Sequence, residues 1–373
     1  MISVINICAF LWTYCDALAM LLCNIDLTEK VCKMINQHPL LSVIITCYNY
    51  EAYIGECIRS VISQDYQNLE IVVVDDGSTD GSWEEIQQFE GQIVALRTEN
   101  RGQLKTSFTG FSLSRGDFVY FLDADDLLLE GALTQIAGYL RPDVSKIQFM
   151  LAPIDKDGRS IGNPFPSLQR SEDSVPLIQS IRSRGYYETP PTSGNIYRRD
   201  VYMGLGEMTY ERGIDGVPYL LAPFVGRVVS LDEVLGKYRI HNSNQSAFSV
   251  LTSTRMKGYI DRFVGRLHHL SQLVQERCET AEKIEVRDDY AYVMELKAMS
   301  MVVDGKRPDM LQTRAYIGAV MRENSGKKRL ALSLFAIALF ILPNNLARKA
   351  AAIRIDPSRS RQLRSRLKRA FSI

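Results

Sequence analysis

The chain has 373 residues, of which 46% are hydrophobic and 23% are charged, so its composition is that of an ordinary globular protein and disorder is not expected. A formal net charge of +1 provides no global attraction to nucleic acid, and no nucleic-acid partner is expected. Seven cysteines without a Cys-x-x-Cys pair indicate neither a zinc site nor a disulfide framework, and they predict reduced thiols.

Residues 1–39 precede the first convincing strand and form an N-terminal extension of doubtful role. The part up to residue 23 is largely apolar, but no basic residue precedes Lys30 and Asp16 interrupts the run, so a secretory signal is not expected. The segment is either an interfacial helix or lies outside the working protein. The second interpretation is favoured, because Met34 stands just before the first strand.

Strands and helices alternate regularly from residue 40 onward. A strand over 41–46, a helix over 52–64 and a strand over 69–74 make a βαβ unit. Next come a short helix opened by a Ser82-x-x-Glu85 capping box, a strand over 93–96, a helix that breaks at Gly116 and a strand over 118–122. This alternation predicts a mostly parallel sheet with helices on both faces.

Two of the predicted strands end in carboxylates. Asp75 and Asp76 follow the strand 69–74, and Asp123, Asp125 and Asp126 follow the strand 118–122. Ligands of open α/β sheets bind beyond the carboxyl ends of strands where strand order reverses, so the two groups can share one pocket. Divalent cations such as Mg²⁺ or Mn²⁺ bridge such carboxylates to substrate phosphates, which predicts a nucleotide-type ligand. A polar turn that caps the next helix is the alternative.

The second half of the chain has a weaker pattern. Short strands are predicted at 195–197 and 227–231, and helical spacing over 252–323 predicts a helical appendage at 251–328. The uncharged apolar run 330–342 is too short to cross a bilayer, which takes about 20 residues.

Basic residues accumulate after this apolar run. Nine basic side chains lie between Arg348 and Arg369, against the single acid Asp356. Residues 329–373 are therefore predicted to hold an interfacial helix and a basic tail on an anionic membrane surface. A helix buried in the protein is the alternative for the apolar run.

Five motifs stand in order along residues 40–246. They read Val43-Ile44-Ile45-Thr46-Cys47-Tyr48-Asn49, Ile71-Val72-Val73-Val74-Asp75-Asp76-Gly77-Ser78-Thr79-Asp80, Asn100-Arg101-Gly102, Asp123-Ala124-Asp125-Asp126 and Tyr238-Arg239-Ile240-His241-Asn242-Ser243-Asn244. Taken together, these motifs resemble the family 2 glycosyltransferases of the GT-A fold. The resemblance implies an α/β fold, a GT-A type doubly wound, mostly parallel sheet over residues 40–250, followed by the helical appendage.

The resemblance also implies an activity. The chain is expected to move a sugar with inversion from a nucleoside diphosphate sugar, with a UDP-sugar as the expected donor, to a glycan or lipid-linked acceptor in cell-surface polysaccharide synthesis. A Mn²⁺ or Mg²⁺ ion is the implied cofactor, because it stabilises the charge that grows on the leaving diphosphate. The expected location is cytoplasmic, peripheral on the cytoplasmic face of the membrane.

By the same resemblance, the motif residues receive expected roles. Nucleotide binding is assigned to Thr46, Tyr48, Asn49, Asp75, Asn100, Gly102 and Asp123. Metal binding is assigned to Asp123, Asp125 and His241. Contact with the donor or acceptor sugar is assigned to Ser193, Gly194, Asn195 and Arg239.

The general base is expected about 25 residues before the histidine motif, where family members carry a Glu-Asp pair. The matching stretch reads Gly213-Ile214-Asp215, which keeps Asp215 as the base but replaces its acidic partner by Ile214. Glu211 is the substitute candidate, and a plain surface turn is the structural alternative.

Other functions share parts of this pattern. A dinucleotide oxidoreductase is disfavoured because the first strand lacks a following Gly-x-Gly-x-x-Gly turn. A sugar nucleotidyltransferase shares the sheet and the metal but should open with a glycine-rich basic loop. A non-catalytic, nucleotide-binding scaffold on a membrane surface stays open, because Ile214 alters the expected base motif.

Overall fold

The structure is a computed structural model that describes residues 38–241, 252–278 and 282–355. The N-terminal extension up to residue 37 and the end of the histidine motif at 242–244 lie outside the described residues. The part of the predicted basic tail that follows residue 355 also lies outside them.

Four parallel strands form the first half of an eight-stranded sheet. They are β1 (Leu41–Cys47), β2 (Leu69–Asp75), β3 (Val94–Arg97) and β4 (Phe118–Asp123), joined by the helices α1 (Ile54–Ile62), α2 (Ser82–Gln87) and α3 (Gln103–Leu113). Their order is β3-β2-β1-β4, so strand order reverses between β1 and β4. Most positions of β1, β2 and β4 are buried on both faces, as expected for the apolar runs that predicted them.

The second half of the sheet is mixed. It contains β5 (Leu127–Leu128), β6 (Val144–Ile154), β7 (Asn195–Arg198) and β8 (Arg227–Arg239), with the helices α4 (Ala132–Ala137), α5 (Val175–Arg184) and α6 (Pro218–Val225). The order continues from β4 as β7-β6-β8-β5, and β7 runs antiparallel to both of its neighbours. The expected α/β fold is confirmed, but its parallel character is limited to the first half and to the β6–β8 pair.

Helix α2 does not begin with the predicted capping box. Gly81 occupies the N-cap position and provides no side-chain cap, so Ser82 is already inside the helix. The Ser82 hydroxyl instead accepts a hydrogen bond from the Tyr50 amide at 2.8 Å and contacts the carboxylate of Asp80 at 2.5 Å. The polar side chain therefore ties the loop after β1 to the loop after β2.

Helix α7 (Ser253–Arg277) packs directly against the sheet. Its buried side chains Phe263, Leu267 and Leu270 belong to the same core cluster as Ile44 and Val72 of the sheet. The first helix of the predicted appendage is thus part of the layer that covers one face of the sheet.

The remaining helices form a bundle with its own core. They are α8 (Ala291–Val303), α9 (Met310–Glu323), α10 (Gly326–Ile341) and α11 (Asn344–Ile355). Met299, Tyr316 and Leu339 are among its buried residues. Helix α10 spans residue 328, where the sequence predicted a domain boundary. Its inner face packs into the bundle, so the two predicted regions share one core. Within the described ranges, no helix has the combined length and apolar character needed to span a bilayer.

Candidate active site

A cavity of about 460 Å³ opens at the carboxyl ends of β1 and β4, where strand order reverses. Seven residues with predicted roles line it: Thr46, Tyr48, Asn100, Gly102, Asp123, Asp125 and Asp215. The lining also includes Cys47, Tyr50, Asp76, Gln103, Thr106, Ala124, Pro191, Thr192 and Tyr238, which received no role from the sequence. The two strand ends that carry acids therefore meet in one cavity.

Asp75 does not line this cavity, although the sequence assigned it a nucleotide contact. Its side chain is fully buried, and its Oδ2 accepts a hydrogen bond from the Ser78 amide at 3.1 Å. The same oxygen lies 3.2 Å from Nε of Arg97. The carboxylate of Asp75 therefore stabilises the loop after β2.

Asp76 is the acid of this pair that faces the cavity. Its two carboxylate oxygens accept hydrogen bonds from the amides of Arg101 and Gly102 at 2.8 and 2.9 Å. Side chains alternate between the two sides of an extended backbone, so neighbouring acids at a strand end point in different directions. The sequence showed both acids, but the choice between them depends on this alternation.

Asp123, Asp125 and Asp215 bring three carboxylates to the cavity. Burial, followed by the charges of Asp125 and Asp215, raises the pKa of Asp123 to about 7. The Nε2 amide group of Gln103 donates to Oδ1 of Asp123 at 3.2 Å and partly offsets this effect. The contacts within the protein therefore do not fully offset the negative charge that these three carboxylates bring to the cavity.

His241 contacts the acidic motif but does not line the cavity. Its Nε2 lies 2.8 Å from Oδ2 of Asp125. Among the described residues, no three His, Cys, Asp or Glu side chains are arranged to hold a metal ion by themselves. The predicted set of Asp123, Asp125 and His241 is therefore not a ready-made ligand cage. Two carboxylates still fit a Mg²⁺ or Mn²⁺ ion, because these ions commonly take few protein ligands and the substrate phosphates.

Arg239 is buried and fixes the acidic loop, so it lies outside the cavity where a sugar or phosphate contact was expected. Only 2% of it is exposed. Its Nε donates to the carbonyl oxygen of Asp125 at 2.8 Å, and its backbone amide donates to Oδ1 of Asp126 at 2.8 Å. Its Nη2 also pairs with Oε2 of Glu56 at 2.7 Å. Asp126 is likewise buried, and its bond to the Arg239 amide joins the acidic loop to the end of β8.

Asn49 supports the cavity from the loop after β1. Its backbone has a φ of 59°, a left-handed conformation that Asn adopts more readily than most residues. Its Oδ1 accepts a hydrogen bond from the Thr79 amide at 2.8 Å. The side-chain oxygen of Asn49 therefore joins two loops, and Asn49 is not among the residues that line the cavity.

Ser193, Gly194 and Asn195 shape the neighbouring wall without lining it. The Ser193 hydroxyl accepts from the Asp123 amide at 3.1 Å, which fixes the end of β4. A Cβ atom on Gly194 would lie 2.5 Å from Cβ of Pro190, so only glycine fits. The Asn195 amide donates to the carbonyl oxygen of Pro190 at 3.1 Å. The residue of this loop that reaches the cavity is Thr192.

Asp215 reaches the cavity from the loop before α6. Its Oδ2 accepts a hydrogen bond from Oγ1 of Thr192 at 3.2 Å. Ile214, which replaces the acid found in family members, is 2% exposed and packs into the core. Asp215 is therefore an accessible carboxylate on a loop anchored by an apolar neighbour.

Glu211, the substitute base considered from the sequence, is buried in an ion pair and does not line this cavity. Its side chain is fully buried, and both oxygens contact the guanidinium of Arg266 on α7, with Nη2 to Oε2 at 2.7 Å. The Tyr210 hydroxyl lies 2.7 Å from Nδ1 of His269 on the same helix. Helix α7 therefore holds the loop that carries Asp215.

Comparison with known proteins gives four findings. The sequence profile described as Glycosyl transferase family 2 matches residues 42–175. An uncharacterized glycosyltransferase of Nostoc sp. is 33% identical over 249 residues, which is 61% of this chain and 76% of that protein. Chondroitin synthase of Escherichia coli is 32% identical over 195 residues, which is 48% of this chain and 28% of that protein. The crystal structure of S. aureus TarS 1-349 in complex with UDP has a TM-score of 0.52 at 17% identity, covering 84% of this chain and 91% of that one, and supports the fold.

We expect Arg266→Met to destabilise the protein strongly, because it leaves the Glu211 carboxylate buried without its partner. Breaking one side of a buried ion pair costs about 3–5 kcal/mol, which urea denaturation would measure. The double variant Glu211→Leu/Arg266→Met should regain most of that stability, because no unpaired charge remains. Arg314→Met on the exposed side of α9 is the matched control. A single variant as stable as this control would contradict the role of the pair.

Proposed function

This chain belongs to the family 2 glycosyltransferases, and we propose that it transfers a sugar with inversion from a UDP-sugar to a glycan or lipid-linked acceptor. The observation that carries the proposal is the single cavity that gathers Asp76, Asp123, Asp125 and Asp215 at the strand-order reversal. The similarity to chondroitin synthase supports a role in polysaccharide synthesis. The proposed location is the cytoplasmic face of a membrane.

The β1 and β2 end of the cavity is proposed to hold the uridine. Thr46, Tyr48 and Asp76 lie together there, and Tyr48 is 41% exposed at the opening. A carboxylate and nearby backbone groups can pair with the polar edge of a pyrimidine base, and an aromatic side chain can cover its face. The solved TarS structure with UDP is consistent with this choice of nucleotide.

Asp123 and Asp125 are the residues proposed to hold Mn²⁺ or Mg²⁺. Their oxygens are the ligand type that these ions prefer, and the raised pKa of Asp123 reflects burial and a repulsion that a cation would relieve. The bound ion would stabilise the charge of the leaving diphosphate as a Lewis acid. The protein supplies the fixed positions of both carboxylates through Ser193 and Arg239.

Asp215 is proposed to remove the proton from the acceptor hydroxyl. The hydrogen bond from Thr192 orients its Oδ2 and leaves the other oxygen to accept that proton. The acceptor oxygen then attacks the anomeric carbon from the side opposite the diphosphate, which inverts the configuration. Positioning and charge stabilisation together lower the barrier.

We expect Asp215→Asn to lower turnover by about 10²–10⁴-fold, because positioned general bases contribute rate factors of that order. The measurement is release of nucleoside diphosphate from a panel of sugar donors with Mn²⁺, with and without EDTA. UDP affinity should stay within about twofold of wild type, since the uridine lies at the other end of the cavity. Asp157→Asn in an exposed turn is the matched control.

Two results would contradict the catalytic assignment. A variant as active as wild type would remove Asp215 as the base. Failure of the wild type to turn over any donor, with UDP still bound, would favour the non-catalytic scaffold.

Asp76→Asn and Asp75→Asn separate nucleotide binding from loop stability. Removing the carboxylate of Asp76 should weaken UDP binding about 10-fold, because a hydrogen bond to a charged group contributes about 1.5–3 kcal/mol. Asp75→Asn should mainly lower the denaturation midpoint, because its carboxylate contacts Ser78 and Arg97 inside the protein. Calorimetry with UDP and thermal denaturation give both quantities. Weaker UDP binding in Asp75→Asn, with unchanged UDP binding in Asp76→Asn, would assign the uridine contact to Asp75 instead.

Helix α10 supports the proposed membrane association. Its inner face is buried through Leu332, Ala336 and Leu339, as the buried-helix alternative expected. Its outer side is also apolar and exposes the side chains of Leu330, Leu334, Ile337 and Ile341, at intervals of four, three and four residues. Exposed Lys327 and Lys328 precede this row. An apolar row beside basic side chains suits the surface of an anionic bilayer.

We expect Leu334→Gln/Ile337→Gln to reduce sedimentation with vesicles of anionic phosphatidylglycerol by at least about fivefold, since burial of each such side chain contributes about 1.5–3 kcal/mol. Val175→Gln/Met203→Gln, at exposed apolar sites outside α10, is the matched control and should bind like wild type. Equal binding of all three proteins, or no binding of wild type, would contradict this surface.

A further inference from the structure

A second cavity adjoins the active-site cavity across the first turn of α3. It has a volume of about 700 Å³ and shares Gly102 and Gln103 with the first cavity. Its opposite wall is the segment 206–212, which leads directly to Asp215. The second cavity therefore lies beside both the donor site and the proposed base.

One part of the wall of this second cavity is apolar. Leu104 and Phe108 contribute from α3, and Met208 contributes from the facing loop. Met208 is buried, whereas the two α3 side chains are partly exposed. Apolar side chains of this kind can pack against the carbon skeleton of a bound molecule.

Three cations surround this apolar surface. Arg101, Lys105 and Arg212 all line the cavity and are exposed. The structure gives no ion pair to any of these three side chains among the described residues. They stand on two separate elements, the start of α3 and the loop before Asp215, so the charge lies on both sides of the cavity.

The acids at this cavity do not balance the cations. Glu211 is buried and already paired with Arg266, so its charge is neutralised within the protein. Glu207 is exposed and is the other acid of the lining. Arg and Lys side chains on opposite walls form charge-assisted hydrogen bonds with phosphate and carboxylate oxygens. The charges therefore favour an anionic ligand.

We propose that this second cavity binds the sugar acceptor and that the acceptor carries a negatively charged group, a phosphate or a carboxylate, held by Arg101, Lys105 and Arg212. This inference rests on the proposed function, because it takes Asp215 as the base. Arg212 lies three positions before Asp215 in the chain. An anion held there places a neighbouring hydroxyl of the same acceptor toward the Asp215 carboxylate, and Gln103 separates it from the donor site.

The experiment measures probe binding by calorimetry to the full chain saturated with UDP and Mn²⁺, so that the first cavity is already filled. The probes are a trimer of glycerol phosphate, trigalacturonate and uncharged maltotriose. Wild type should bind one or both anionic probes at least about 10-fold more tightly than maltotriose, with affinity that falls as salt increases. Binding of the phosphate probe alone or of the carboxylate probe alone identifies which anion the acceptor carries.

The variant Lys105→Gln/Arg212→Gln should weaken binding of the anionic probe at least about 10-fold, because it removes cations from both walls. Lys306→Gln/Arg307→Gln, an equal loss of charge at an exposed loop away from the cavity, should bind the probe like wild type. UDP affinity should be unchanged in both variants.

The results that would overturn the inference are specific. They are equal binding of all three probes, no binding of any probe, or the same loss in both variants. If wild type fails to bind UDP, the proposed function itself fails, so the two failures are distinguishable.

Discussion

The concentration of carboxylates at one edge of the sheet is the constraint on which the rest of the site depends. Burial, and after it the negative charges of Asp125 and Asp215, raises the pKa of Asp123 in this cavity. A carboxyl with such a raised pKa in a cleft is typical of a functional site, and the surrounding structure has to fix it in place. Here the fixing is visible in Ser193 and Arg239, which hold the backbone of the acidic loop from two sides.

The supporting contacts explain why several motif residues lie outside the cavity. Asn49 joins the loops after β1 and β2, and Asp75 uses its carboxylate on Ser78 and Arg97. These bonds are internal, so they leave the cavity to neighbouring residues such as Asp76. A motif therefore contains both residues that face a ligand and residues that hold them in place, and only the three-dimensional contacts separate the two groups.

The sequence predicted the first half of the fold well because its strands are continuous apolar runs that end in recognisable loops. Strand β6 was missed because Lys146 and Gln148 interrupt its apolar pattern. In the structure both are buried, and Nζ of Lys146 bonds to Oε1 of Gln148 at 2.9 Å. The role of α7 was also hidden, because helical periodicity shows which face is apolar and does not show which surface that face will cover. Ion pairs between residues far apart in the chain, such as Arg266 with Glu211, produce no local pattern in the sequence from which they could be predicted.

The loop that carries Asp215 is held by an apolar residue and by a neutralised acid. In place of an acid, Ile214 enters the core and anchors the loop by packing. The nearby acid Glu211 is neutralised by Arg266, and a Cβ atom on Gly216 would fall within 2.7 Å of Nε of that arginine. Because Arg266 neutralises Glu211, Glu211 adds no unpaired negative charge beside Asp215. The close packing at Gly216 restricts the backbone of the same loop. Because Arg266 belongs to α7, the position of the proposed base depends on a helix that follows the sheet in the chain. The helical region is thus part of the structure that forms the site.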